Sequence, residues 1–512
     1  MDLHSDTEQL LRMSAVHPVS DSLPTSSFSR QTPYRWFPSH RSLTALLLCL
    51  CFAAIHMMNC NLSMSVVCMI NSTDRARNKV EDGFSPVNSS HSVFEWKNNE
   101  GAALVNWTPD EEGYIFSAFN IGLLFMLVTG FAADRLNAKW MILASVTVAV
   151  GATIMIPVYT ESFYWAFLAR FLIGVSDALL QPSINSLLTR WFPSSERSYA
   201  LSIATGGRQL GTLLITPIAG ALCQSSIFGG WPAIFFLSAA SGVFFIVLYL
   251  FLGADKPSKQ SCISDAELKY ITVANASEDC GKKRNERKVP WRRILLSGSV
   301  WSAVVAVVCH EFPLMTMIMF LPSYLHDVHH YSATKNGLLS SLPTLALWVA
   351  KILSSYTDTW LKKHTKWSAS TICKILNCIG SLGLGVFLFA TTLLDASHAW
   401  LAVLFLCLSM FFAGLHTPGC QAALVAIAPA YSGAVTGLAF FFVASSGIIN
   451  PIMTKQIVQT QSAEEWNLVF YISTVFALLP CITFSSQEQQ QYYKDIQTSR
   501  KSSKESQVEV EP

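Results

Sequence analysis

Charge is what this sequence has least of. Only 13% of its 512 residues are Asp, Glu, Lys or Arg, while 51% are hydrophobic. A soluble globular chain carries about a quarter charged residues, so an ordinary water-soluble domain is excluded. The charges that remain crowd into the two tails and two loops, and the apolar runs between them are long enough to cross a bilayer. The net charge of +2 says little about partners, because in such a chain the sign of each loop outweighs the sum. No nucleic-acid partner is expected. Phosphate loops, catalytic triads and dinucleotide fingerprints are also missing, so neither an enzyme nor a bound cofactor is indicated.

Thirteen cysteines might suggest a disulfide framework or a metal centre. None forms a C-x-x-C pair with zinc-like spacing. Cys49, Cys51, Cys60, Cys68, Cys309 and Cys407 fall inside apolar segments, where a thiol behaves as a small hydrophobe. The sequence therefore predicts neither structural disulfides nor metal sites. A cleavable signal peptide is lacking too: the first forty residues are polar and rich in Ser and Pro, and the first apolar run begins at Leu43. Residues 1–42 read as a cytosolic tail. Its DTEQLL segment places Leu10 and Leu11 in the acidic-x-x-x-Leu-Leu spacing of an endosomal or lysosomal sorting signal, which a sorting adaptor would bind.

What is present is an all-α polytopic membrane protein. Apolar runs predict twelve transmembrane helices near 43–70, 113–133, 139–159, 162–190, 198–224 and 231–254, then near 297–325, 335–357, 369–393, 399–428, 433–459 and 467–484. Only helices satisfy their own backbone in lipid without closing into a barrel. Two bundles of six follow, 43–254 and 297–485, with a polar linker at 255–296 and a C-terminal tail at 486–512. Arg30, Arg35, Arg41, Arg135, Lys139, Arg190, Arg197, the run from Lys282 to Arg293, and Lys362, Lys363 and Lys366 all fall in loops on one face. That face is cytosolic by the positive-inside rule, as are both tails. The opposite loop, 71–111, carries sequons at Asn71, Asn88 and Asn106. Asn71 and Asn88 are the candidate glycosylation sites, with Asn88 clearest of the bilayer.

Weak echoes link the halves. GFAADRLNAK (130–139) ends the second span and SSYTDTWLKK (354–363) ends the eighth. Paired bundles with a site between them near the midplane describe a secondary transporter. G-x-x-x-D-R-x-x-x-K, here Gly130, Asp134, Arg135 and Lys139, resembles the loop signature of the major facilitator superfamily. It reads as a gate latch in which Asp134 accepts from a neighbouring helix or arginine. NCNLSMSVVCMIN, NWTPDEEGYIFSAFNIG, RFLIGVSDALLQPSINSLLTRWFPSSERS, VPWRRILLSGSVWSAVV, GLLSSLP and IAPAYSGAVTGL together resemble the anion/cation symporter family. That family holds sialin, the vesicular glutamate and nucleotide transporters and the sodium–phosphate cotransporters. The resemblance covers about residues 43–485.

It implies a major facilitator fold and a small anionic substrate moved by protons or sodium. It also implies that Arg170 contacts the anion and that Asp177 takes part in coupling. The sequence departs from the family at several polar positions. Asn59 stands where many members carry a first-span arginine, and Phe116 where the glutamate transporters carry histidine. His310 replaces a seventh-span arginine, and Ala423 to Ala426 replace the N-H-L-D run of the tenth span. Arg208, His310 and Glu311 are intramembrane additions. A charge at the centre of a span costs about 2.5–3.5 kcal/mol or more, so each must face protein or a water-filled space. Arg208 is the candidate replacement for the missing first-span arginine and, with Asn59 and His310, a candidate substrate contact; Glu311 is either a proton-coupling site or the neutraliser of Arg208 or Arg170. Arg170, Gly174 and Asp177 share one helical stripe, with about 10.5 Å of rise between the two charges, so they read as separate stations, with Gly174 leaving space between them. His416 and Lys351 read as structural. A transport-inactive sensor that kept the fold is the competing reading, motivated by the lost polar residues.

Overall fold

The computed structural model describes residues 35–70, 105–126, 128–129, 137–159, 162–225, 229–260, 262–276, 291–394, 398–421 and 432–483. Leu10, Leu11, Asn71, Asn88, Asp134 and Arg135 lie outside the described residues. The first bundle comprises α1 (His40–Met69), α2 (Pro109–Leu123), α3 (Ala138–Val158), α4 (Phe163–Trp191), α5 (Ser194–Cys223) and α6 (Pro232–Leu252). The second comprises α7 (Gly298–Asp327), α8 (Ala333–His364), α9 (Ala369–Thr392), α10 (Ala399–Gly414), α11 (Ser432–Ile457) and α12 (Ala463–Thr483). Ten of these are long and apolar enough to cross a membrane. The other two are α2, described over 15 residues, and the 30-residue α5, which carries Arg208 in its interior.

Helix starts follow local sequence. Ser39 and Ser42 form a reciprocal capping box at α1. Thr108 and Glu111 do the same at α2, with Pro109 in the first turn, where its missing N–H costs nothing. Chain direction alternates, so the molecule has a loop face, where α1 ends and α2 begins, and a linker face, where α6 ends. Within the first half α1 packs on α5 and α6, α3 on α4 and α6, and α2 on α4. Within the second, α8 and α9 pack on α10, α9 and α7 on α12, and α7 on α11. The halves meet through α5–α8, α2–α11 and α1–α7. At α1–α5 the approach is close because a Cβ on Gly207 or Gly211 would strike the carbonyl of Cys49 or Ala53.

Several expectations change. Cys68 and Cys223 are joined in a disulfide, with Cα atoms 5.9 Å apart. The prediction of no structural disulfide was wrong because it judged each cysteine by its apolar neighbours. The fold instead brings the loop-face ends of α1 and α5 together. The tenth span was expected to run unbroken to 428. The α-helix stops at Gly414, and a π-helical turn follows at Thr417–Gln421, where Pro418 cannot donate to the ladder. Gly174 does not leave cavity space between Arg170 and Asp177: its bare face lies against the Phe119 backbone of α2.

The linker, expected as a polar loop, holds a helix at Asp265–Ala276 that docks on the first bundle. Glu267 of that helix accepts from the His40 and Arg41 N–H groups at 3.2 and 3.0 Å, capping α1 from outside its own sequence. Arg41, read as a topogenic surface charge, is fully buried and paired with both Glu267 and Glu196. The Tyr270 hydroxyl donates to Glu196 at 3.1 Å, and burial followed by that carboxylate pushes the phenol's pKa up. Nearby, Asp255 caps α3 at the Ala138 N–H (3.0 Å) and binds Arg190 at 2.5 Å.

Candidate functional site

Arg170 enters the first bundle's interior two turns into α4 and is 1% exposed. Its Nη1 donates to the Asn59 carbonyl and its Nη2 to Asn59 Oδ1, both at 2.9 Å. The guanidinium lies 5.6 Å from the centre of the Phe119 ring. Its Nε has no hydrogen-bond partner. Among the described residues every partner of this cation is neutral, so the site keeps a full positive charge away from water. Asn59, at the position where the family's arginine is absent, thus supplies acceptors and no second charge.

Arg208 is treated oppositely. Its guanidinium takes Asp177 in a two-pronged pair, Nη2 to Oδ1 at 3.0 Å and Nη1 to Oδ2 at 3.2 Å. Nη2 also donates to Gln181 Oε1 at 2.8 Å, and Nη1 lies 2.9 Å from His56 Nε2. The Phe52 ring sits 4.6 Å beneath it. Two N–H groups on one carboxylate is the strong geometry for this pair. The carboxylate neutralising Arg208 is therefore Asp177 on α4, and the expectation that Glu311 pairs with Arg208 or Arg170 is corrected. Arg208 does stand one turn from Asn59 along α1, since His56 and Asn59 are spaced i, i+3. It does not occupy the missing arginine's place as an uncommitted charge, because its donors are engaged.

In the second bundle His310 of α7 stacks on His416, with ring centroids 3.7 Å apart and planes 14° from parallel. The break after Gly414 puts His416 there. Both rings are buried, and His310 Nδ1 and both His416 nitrogens have no hydrogen-bond partner among the described residues. Lys351 turns inward: with the Gln209 amide oriented to suit its neighbours, Oε1 accepts from Lys351 Nζ at 3.2 Å, joining α8 to α5. Glu311 and Arg208 both lie within charge reach of Lys351. The structure thus gathers Asn59, Arg170, Asp177 and Arg208 on facing helices of one half. His310 and Glu311 sit in the other half, electrostatically linked to it through Lys351.

The loop face is sealed between the halves. Glu112 of α2 and Lys455 of α11 form an ion pair in which the two side chains are 0% and 5% exposed. Below it the Phe116 and Phe320 rings meet edge to face at 5.0 Å. Ser117 donates to the Ile448 carbonyl at 2.7 Å and Asn120 to the Gly447 carbonyl at 2.8 Å. Beside the pair is a cavity of about 30 Å³ lined by Val66, Glu112, Ser323, Asp327, Lys455 and Gln461.

Reading the sequence missed His56, Gln181, Glu112 and Lys455. His56 lies in an apolar run with nothing local to mark it, although an interior histidine three residues before Asn59 was a usable signal. Glu112 stands in the first turn of α2 and Lys455 in the last turn of α11, and neither local sequence names the partner. Their pairing is a tertiary fact.

Paired bundles with charged groups in their interior and a sealed face on one side suit a membrane transporter. The sequence profile of the major facilitator superfamily matches residues 46–451, and the chain belongs to that superfamily. Sialin of Homo sapiens is 28% identical over 451 residues, covering 87% of this chain and 89% of that protein. A putative inorganic phosphate cotransporter of Drosophila melanogaster is 26% identical over 460 residues, 89% of this chain and 85% of its own. These relatives bear out the resemblance to the anion/cation symporter family. Among solved structures, a bacterial homologue of the human lysosomal transporter Spinster aligns with TM-score 0.62 at 15% identity, covering 90% of this chain and 98% of that one. That likeness shows the fold.

Proposed function

We propose that this chain is a secondary active transporter of small organic anions or inorganic phosphate, working by alternating access and coupled to protons or sodium. The observation that carries this reading is Arg170: a cation 1% exposed whose partners are all neutral. Burying a charge is tolerated when a partner completes it, and a substrate anion is that partner. Asp177 and Arg208, two turns further along α4 and one turn away along α1, are the coupling or gating station. Glu311, His310 and Lys351 are its counterpart in the second half.

With the linker face assigned to the cytosol, the Glu112–Lys455 seal lies on the luminal or extracellular side, and opening it is the other half of the cycle. The same assignment exposes Asn71 and Asn88 to glycosylation and the tail's Leu10 and Leu11 to a sorting adaptor, for residence in a lysosomal, vesicular or plasma membrane. Replacing both leucines by alanine then moves the protein to the cell surface. The transport reading is tested by uptake of labelled phosphate and a panel of carboxylates into proteoliposomes, under imposed proton, sodium and voltage gradients. Flux in the native chain and none in Arg170→Ala is the expected result. No flux under any gradient leaves the transport-inactive sensor in its place.

A further inference from the structure

We infer that His56 is the proton-carrying residue of this site: its neutral ring holds Arg208 on Asp177, and a proton on its Nε2 turns the cluster into a second cationic station for the anion. This rests on the anion-transport reading above. Arg208 has N–H donors and no acceptor. The 2.9 Å contact between Arg208 Nη1 and His56 Nε2 is therefore a hydrogen bond only if Nε2 offers its lone pair. That fixes the ring as neutral, with its one proton on Nδ1, which lies 3.8 Å from the Cys60 sulfur. Protonation consumes the lone pair that Arg208 uses. The bond breaks, and two cations then stand where one cation and one acceptor stood.

The surroundings make this proton count. Among the described residues the charged groups reaching His56 are Arg208 from α5 and Lys351 from α8. Asp177 of α4 reaches it through Arg208, and Glu311 of α7 acts on Lys351. Of the other helices on α1, α6 carries no charged residue and α3 only Lys139, at its linker-face end. Asp177 with Arg208, and Glu311 with Lys351, sum to zero, so one proton on His56 changes the sign balance of the cluster. Arg170 grips Asn59 one turn away along α1. A proton from water, taken up on Nε2, and an anion at Arg170 then stabilise each other across that turn, which is the thermodynamic content of symport.

The test is His56→Gln, whose side-chain oxygen can still accept from Arg208 and cannot take a proton. Native chain and variant are reconstituted, and proton-driven uptake is compared with anion exchange, using phosphate and the carboxylate panel as probes. The expected result is that the ratio of driven uptake to exchange falls about tenfold in the variant, a usual size for coupling between two sites. An unchanged ratio overturns the inference. So does native flux that ignores the proton gradient, which leaves anion transport itself standing. A second measurement does not depend on flux: acidification should lower the melting temperature of the native protein more than that of His56→Gln. Identical pH dependence in the two overturns the inference, whereas no native flux combined with the expected melting difference removes the transport reading and keeps the His56–Arg208 device.

Discussion

Two arginines enter the interior of the first bundle a turn apart along α1, and the fold treats them differently. Arg208 is engaged by a carboxylate, an amide, an imidazole and a ring face. Arg170, more deeply buried, is given one asparagine and a ring, with its Nε left unpartnered. Since isolated buried charge is expensive, the contrast separates a cation that the protein completes by itself from one whose completion is left to a ligand. The first belongs to the machinery that moves; the second is the place to bind.

The contrast is broken most directly at Arg170. Arg170→Ala should cut uptake about a hundredfold or more, the scale of deleting one side of a buried charge pair. Expression and melting temperature should hold, because no carboxylate is orphaned. Asp177→Asn should do the reverse damage: it leaves Arg208 buried without its counter-charge and costs about 3–5 kcal/mol of stability. Thermal unfolding in detergent reads this, and the double change Asp177→Leu with Arg208→Met should recover much of the loss. Cys68→Ser should lower stability by about 2–4 kcal/mol under non-reducing conditions and spare uptake, since both cysteines belong to one bundle and rocking does not stretch the link. The smallest effect is expected at Glu112→Gln, which should shift the balance between loop-face-closed and loop-face-open states about tenfold. Labelling of a cysteine placed at Ser323 or Gln461, beside the seal, measures that shift.

Much of the fold was legible because lipid imposes long apolar helices whatever the tertiary contacts. The apolar runs and the polar linker placed most of the described helices within a few residues of their observed starts. The boundaries that moved did so for local and tertiary reasons together. α1 begins earlier because the Ser39–Ser42 capping box starts it and Glu267, far along the chain, accepts from its first N–H groups, and the α-helix of α10 ends earlier because Pro418 breaks its ladder. The site was legible residue by residue and not as a network. Arg170, Asp177 and Arg208 stand out as charges in apolar runs, yet helical spacing cannot say which carboxylate meets which guanidinium. Gly174 was assigned to a cavity on spacing alone, and packing gave it to α2. Cys68 was indistinguishable from its apolar neighbours until α5 came beside it.

Arg170 meets no neutralising group among the described residues, and Asn59→Asp supplies one, which tests its anion-binding role most directly. The substitution keeps the guanidinium and nearly the same shape, and supplies the missing negative charge at the 2.9 Å contact. Measured in proteoliposomes, anion uptake should fall to background while the melting temperature holds or rises. Native uptake in Asn59→Asp would contradict an anion-binding role for Arg170.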